Sequence, residues 1–140
     1  MANHLEITVE VIVHTTEDRK KILDSIFTMF EIKEDEFTEE RLAGHFGNPI
    51  LLLKTKLTKK RAEEFIHNVI SKISKVQMND FFDNMDMHFE GSSLFLRISK
   101  QDIIRKTISI QQNDAMKIKI SIPVYKKSDL VKNYKDLLKS

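Results

Sequence analysis

Basic side chains alternate with other residues in two separate stretches of the chain. Lys54 and Lys56 flank Thr55, and Lys117 and Lys119 flank Ile118. Because successive residues of a β-strand point to opposite faces, each lysine pair would project from one face of a strand. Lysine and arginine are the donors that nucleic-acid phosphates require. The pattern therefore predicts two basic strand faces able to contact a polyanion.

Further cations accompany these strands. Three basic residues open the helix predicted after the first pair, and Arg97 alternates with Phe95 in another strand. Unpaired RNA bases stack on aromatic rings and on guanidinium planes. The residues predicted to contact RNA are Lys54, Lys56, Lys59, Lys60, Arg61, Arg97, Lys117 and Lys119, together with His45 and Asn48 as hydrogen-bonding groups. A solvated lysine-rich surface is the alternative for all of these cations.

Glycine and proline concentrate in one stretch, residues 44–49. Glycine adopts backbone angles that other residues resist, and proline fixes φ. The sequence Gly47-Asn48-Pro49 therefore predicts a tight turn between two strands. Gly44 would permit a bulge or a close backbone approach. Phe46 shares the strand parity of Leu42, and we expect it to face the core.

Carboxylates and histidines do not define a convincing catalytic site. Asp80, Asp83 and Asp86 recur every three residues, a spacing that would suit a magnesium-dependent nuclease or simply a solvated helix face. The five histidines include no closely spaced pair and cysteine is absent, so we predict no metal and no other cofactor. Glycine-rich phosphate loops and nucleophile-elbow motifs are also missing. We predict a protein that is not an enzyme.

Charge is distributed unevenly along the chain. The net charge is +2, yet residues 1–50 carry five Lys/Arg against eleven Asp/Glu, whereas residues 101–140 carry nine against four. This asymmetry favours an acidic partner for the C-terminal part. The lack of cysteine fits a reducing compartment, and no apolar run approaches the roughly 20 residues of a membrane helix. No signal-peptide pattern is evident, so we predict a cytoplasmic protein without a membrane partner.

Hydrophobic periodicity predicts the elements that must position these residues. Alternating apolar side chains predict a strand over residues 5–13. Thr15 or Thr16 would cap the following helix, with Glu17 and Asp18 at its positive N-terminal end. The other predicted elements are a hairpin of residues 40–46 and 50–57, helices over 59–73, 78–88 and 128–138, a strand over 94–98, a helical segment over 100–105, and a second hairpin of residues 107–112 and 116–124.

This order predicts an α+β fold. Two hairpins and several helices indicate a single two-layer domain spanning residues 1–140, with a mostly antiparallel sheet and helices packed on one face. The opposite sheet face would carry the alternating lysines. It would be wet or would meet a partner.

Three strings resemble sequences of an archaeal family of RNA-binding proteins proposed as exosome subunits. They are His14-Thr15-Thr16-Glu17-Asp18, Gly44-His45-Phe46-Gly47-Asn48-Pro49-Ile50 and Phe95-Leu96-Arg97-Ile98-Ser99-Lys100-Gln101. Carried over by position, the motif residues are His14, Thr15, Glu17, Asp18, Gly44, His45, Phe46, Gly47, Asn48, Pro49, Lys100 and Gln101.

The resemblance implies a fold similar to the ribosomal protein that binds 5S ribosomal RNA. It also implies a non-catalytic, RNA-binding accessory of RNA processing or degradation, with RNA and other RNA-processing proteins as partners. Two alternatives remain beside it. One is a protein-interaction or homodimerisation module that does not bind RNA, and the other is the magnesium-dependent nuclease.

Overall fold

The strand predicted from residues 5–13 lies in the middle of the sheet. The computed structural model describes residues 4–44 and 47–139. Its strands are β1 (Glu6–His14), β2 (Thr38–Ala43), β3 (Pro49–Thr58), β4 (Phe89–Glu90), β5 (Ser93–Ser99) and β6 (Ala115–Ser121). They form a six-stranded sheet in the order β2-β3-β1-β6-β5-β4, and every pairing is antiparallel.

Helices pack against one face of this sheet. They are α1 (Arg19–Phe30), α2 (Lys59–Lys72), α3 (Lys75–Asp83), α4 (Lys100–Ile104) and α5 (Leu130–Lys139), with short 3-10 turns at Glu34–Glu36, Met85–His88 and Lys127–Asp129. Helical spacing places Phe65, Ile66 and Val69 of α2 in the core. The core lies between the helices and the sheet. The predicted α+β fold is therefore confirmed.

The register of the sheet separates two faces. Val11 lies opposite Leu53 of β3, and Val9 lies opposite Ile118 of β6. All four side chains are buried under the helices. Residues directly opposite in an antiparallel pair share a face, so their chain neighbours point the other way. That second face, which we call the open face, carries the alternating lysines.

The second predicted hairpin is wrong in its first strand. β6 pairs with β1 along one edge and with β5 along the other, so it has no free edge for residues 107–112. That segment instead runs beside the end of β5. The Ser99 N–H donates to the Ser109 carbonyl at 2.8 Å, and the Gln111 N–H donates to the Arg97 carbonyl at 3.0 Å.

Two local predictions also need correction. Asp18, rather than Thr15 or Thr16, caps α1, because its carboxylate accepts from the Lys21 N–H at 3.1 Å. The single helix predicted over 78–88 is divided into α3 and the 3-10 turn Met85–His88. α3 begins at Lys75, earlier than predicted, because the Ser74 hydroxyl accepts from the Gln77 N–H and caps the helix.

Candidate nucleic-acid interface

The open face places cations from three strands side by side. Sheet order brings β3, β1, β6 and β5 together although they are distant in the chain. One row across these strands holds Lys54, Glu10, Lys117 and Arg97, and the next row holds Lys56, Thr8, Lys119 and Phe95. Lysines predicted from two separate alternating stretches therefore share one face.

Two of these lysines are paired with carboxylates of β1. The Lys54 ammonium lies 3.6 Å from the Glu10 carboxylate, and the Lys56 ammonium lies 3.2 Å from the Glu6 carboxylate. Such exposed pairs are weak and are screened by salt. They nevertheless lower the positive potential over the β1–β3 half of the face.

The β5–β6 half of the face is more strongly basic. We call Arg97, Lys117 and Lys119 the basic patch; among residues 4–44 and 47–139, none of the three has a carboxylate at salt-bridge distance. The Lys117 ammonium lies 4.6 Å and the Arg97 guanidinium carbon 5.6 Å from the centre of the Phe95 ring. Phe95 is only 4% exposed, so its ring supports the two cations instead of offering a plane to a base.

The three cations that begin α2 lie at the junction of β3 and the helical layer. Arg61 is bound by Glu36: its Nη1 contacts one carboxylate oxygen and its Nη2 donates to the other at 2.7 Å. This hydrogen-bonded guanidinium lowers the pKa of Glu36 to about 2. Lys60 lies 4.0 Å from Glu64, and Lys59 adopts a positive φ of 57° where β3 turns into α2. Arg61 is thus engaged in structural contacts, away from the basic patch.

Lys100 connects two of the motif strings. Its side chain is buried, and its ammonium donates to the Ile12 carbonyl at 2.7 Å and to the Glu17 carboxylate at 2.8 Å. It also lies 2.9 Å from the Asp114 carboxylate. Glu17 additionally accepts from the His14 N–H at 2.9 Å. Lys100 and Glu17 therefore have a structural role in joining β1, the loop before α1 and the turn before β6.

Among residues 4–44 and 47–139, the carboxylates that cluster with a histidine are already bound by a lysine. The ligand atoms of His14, Glu17 and Asp114 lie within 4.8 Å of one another, but the Lys100 ammonium already contacts both carboxylates. Among the residues that the structure describes, Asp80 and its neighbours at positions 83 and 86 do not form such a cluster. Asp80 instead accepts from the Asn84 side-chain amide.

The glycine-rich turn has the tight geometry expected from its sequence. The Gly44 N–H donates to the Asn48 carbonyl at 2.6 Å, and a Cβ on Gly44 would lie 2.9 Å from that same oxygen. Gly47 has a φ of +76°, and Pro49 begins β3. Asn48 is exposed, whereas the roles predicted for His45 and Phe46 concern residues outside the described ranges.

The remaining motif residues lie on the surface around Lys100. Thr15 is exposed in the loop that follows β1, and Gln101 is exposed in the first turn of α4. No side-chain hydrogen bond involves either residue within the described part of the chain. Their contribution to binding stays a prediction.

Fold and site together define an α+β protein with one helix-covered and one partly basic sheet face. A protein-family model described as RNA binding matches residues 6–123. The chain belongs to this family. No helix in the described ranges is long and apolar enough to cross a membrane.

Similar proteins come from archaea. The chain is 26% identical over 141 residues to RNA-binding protein PAB1135 of Pyrococcus abyssi, covering 94% of this chain and 92% of that protein. The crystal structure of protein AF2318 from Archaeoglobus fulgidus, of family DUF54, superposes with a TM-score of 0.83 at 26% identity, covering 94% of this chain and 97% of that one. A UPF0201 protein from Methanococcus jannaschii shares the fold alone, with a TM-score of 0.58 at 15% identity, covering 95% of this chain and 98% of that one.

Proposed function

We propose that this protein binds RNA through its open face and catalyses no reaction. The observation that carries the proposal is the basic patch, whose three cations lie together without carboxylate partners among the described residues. Each lysine or arginine that neutralises a phosphate releases counterions, which makes binding favourable at low salt. Lys54 and Lys56 extend the same surface once RNA competes with their carboxylates. The similarity to RNA-binding protein PAB1135 of Pyrococcus abyssi supports this function.

Finer proposals rest on the sequence resemblance. We propose that residues 1–140 act as a single RNA-binding domain with a fold related to the ribosomal protein that binds 5S ribosomal RNA. In this view the protein is an exosome-associated accessory of RNA processing or degradation, acting in the cytoplasm with other RNA-processing proteins. The absence of cysteine supports a reducing compartment.

The test is a salt titration of binding to a short labelled RNA, with an unlabelled acidic polymer as competitor. We expect preference for RNA and a steep decrease of affinity with salt. The double variant Lys117→Glu with Lys119→Glu should weaken binding by at least about tenfold and flatten the salt dependence. Retention of wild-type affinity by this folded variant would refute the proposed surface.

The matched control carries the same charge change in the helical layer. Lys132 and Lys135 lie on α5, whose Tyr134 packs into the core from the helix side. Lys132→Glu with Lys135→Glu should therefore retain most of the wild-type affinity. It should also retain most of the salt dependence, because the basic patch is unchanged. An equal loss in both double variants would indicate a response to net charge alone.

A protein-interaction surface is the second candidate, because the open face also has an apolar region. Ile12 is 41% and Leu42 is 37% exposed, and both point to this face beside Ile50 and Leu52 of β3. Neighbouring exposed apolar groups on one sheet face are typical of sites that a partner covers. Light scattering over a range of protein concentrations tests for a homodimer, and a monomer at every concentration would oppose self-association.

A further inference from the structure

A cleft opens beside the basic patch on the open face. It has a volume of about 280 Å³. It lies beside Ile12, which is two residues after Glu10 in β1 and therefore one row beyond Glu10 and Lys117 on the open face. Ala115 lies on the same face as Lys117, two residues earlier in β6. Alanine extends only to Cβ, so it leaves more room in this lining than the longer side chains of Ile12 and Lys117.

The floor of this cleft is apolar. Ile12 is 41% exposed although it belongs to the central strand, and Ala115 lies beside it in the lining. A flat aromatic base packs favourably on such a surface, since apolar area on both partners leaves water. A phosphate group would gain nothing from these contacts.

The walls of the cleft differ in charge. Arg97 and Lys117 of the basic patch form one part of the lining, where phosphates would bind. The carboxylates of Glu10 and Asp114 also line it, paired with Lys54 and with the lining residue Lys100, and they are poor partners for a phosphate. Carboxylate oxygens do accept hydrogen bonds from the amino and imino groups of bases.

Gln112 adds a neutral hydrogen-bonding group. Its side chain is exposed in the turn before β6, and its amide offers both a donor and an acceptor. Its neighbour Gln111 is already engaged, since its amide donates to the Asn113 carbonyl at 2.7 Å. His14, exposed at the end of β1, contributes an imidazole to the lining.

We propose that this cleft holds one unpaired base of an RNA strand whose phosphates lie on the basic patch. The inference deepens the proposed RNA-binding function and rests on it. It identifies the ligand as single-stranded RNA, because the edge of a base within a duplex is paired and its faces are stacked. Gln112 and Asp114 contact the base edge, and Ile12 and Ala115 contact its face.

The direct test fills the cleft without changing any charge. Ala115→Leu should weaken binding of a short single strand by about tenfold and leave the salt dependence unchanged, because base contacts are lost and phosphate contacts stay. Gln112→Ala should weaken it by about threefold. The control Asn79→Ala, which removes an exposed amide on α3 outside the cleft, should bind like the wild type.

The RNA strand itself supplies a second readout. The wild type should prefer the single strand to a duplex of the same sequence, and an aminopurine base in the strand should change its fluorescence on binding. Ala115→Leu should abolish both effects. Circular dichroism shows whether Ala115→Leu folds. If it does not, the same two effects are compared between Gln112→Ala and the wild type.

The outcomes separate this inference from the function on which it rests. If the wild type binds neither the single strand nor the duplex, the proposed function fails. If it binds single strand and duplex equally, and both cleft variants bind like the wild type, the base cleft is refuted while RNA binding by the basic patch stands. A selective loss of single-strand binding in Ala115→Leu would establish the cleft.

Discussion

At the scale of single residues, the Lys100 ammonium is held by several partners at once. Its side chain is 3% exposed, against 16% for Glu17 and 43% for Asp114. A buried charge is tolerated only when partners replace its water shell, and here two carboxylates and the Ile12 carbonyl do so. Because Lys100 is far from these partners in the chain, residue spacing could not predict the contacts. The motif resemblance singled out Lys100 and Glu17 in the sequence, but not Asp114.

Removing the Lys100 charge should therefore destabilise the fold. Lys100→Met keeps most of the side-chain volume but leaves Glu17 without its buried partner, and we expect a loss of about 3 kcal/mol in the free energy of unfolding. Urea denaturation measures it. The control Lys20→Met removes an exposed lysine that pairs with Asp24 one helical turn away, and it should show no measurable change. Equal stability of Lys100→Met and the wild type would contradict the structural role.

At the scale of elements, periodicity predicts whether a segment can form a strand or a helix. It does not predict which other segment the strand pairs with. The alternation in β1, β3 and β6 was sufficient to predict strands, because their buried residues alternate with more exposed ones. β5 was also predicted as a strand, although it buries Phe95 and Ser99 of the open face as well. Residues 107–112 show a similar pattern and yet form only an isolated bridge, between Ile98 and Ile110. Gln77 of α3 accepts from the Ile110 N–H at 3.0 Å, a long-range contact that no local pattern reveals.

The contact between Glu36 and Arg61 joins the segment before β2 to α2, and it should make stability depend on pH. The arginine lowers the pKa of Glu36 from the ordinary 4.5 to about 2 in the folded state. A lowered folded-state pKa stabilises the protein above the unfolded value, and this contribution is lost as the pH falls toward 2. Wild-type stability should therefore decrease between about pH 5 and pH 2.

The variant Glu36→Gln isolates this contribution. It lacks the charge at every pH, so its unfolding free energy should be lower at neutral pH and should change less between pH 5 and pH 2 than that of the wild type. Denaturant titrations at a series of pH values measure the difference. Asp35→Asn removes a neighbouring exposed carboxylate and should keep the wild-type profile. Parallel profiles for Glu36→Gln and the wild type would show that the ion pair contributes nothing.

At the scale of the whole molecule, fold class was predictable whereas the boundaries of the site were not. Sheet order decides that the two lysine pairs share a face, and no local pattern encodes that order. The sequence likewise grouped Arg61 with the RNA-binding cations because it is near Lys56 in the chain. The structure instead pairs Arg61 with Glu36. Ala115 and Gln112 of the cleft carried no signal, since neither residue type is unusual in a strand or a turn.

The carboxylates of β1 divide the open face, and their removal should strengthen RNA binding. Glu6 and Glu10 pair with Lys56 and Lys54, so Glu6→Gln with Glu10→Gln would free both ammonium groups and leave the strand nearly isosteric. We expect affinity for a short RNA to rise by about fivefold at low salt, with a steeper salt dependence. Fluorescence anisotropy over a series of salt concentrations measures both quantities.

The matched control removes two carboxylates from the helical side. Glu63→Gln with Asp136→Asn changes the net charge equally on α2 and α5, so it should raise affinity far less if the open face is the contact surface. Equal gains in the two double variants would mean that RNA responds only to overall charge. A gain confined to the β1 variant would show that Glu6 and Glu10 limit how much of the open face the RNA can use.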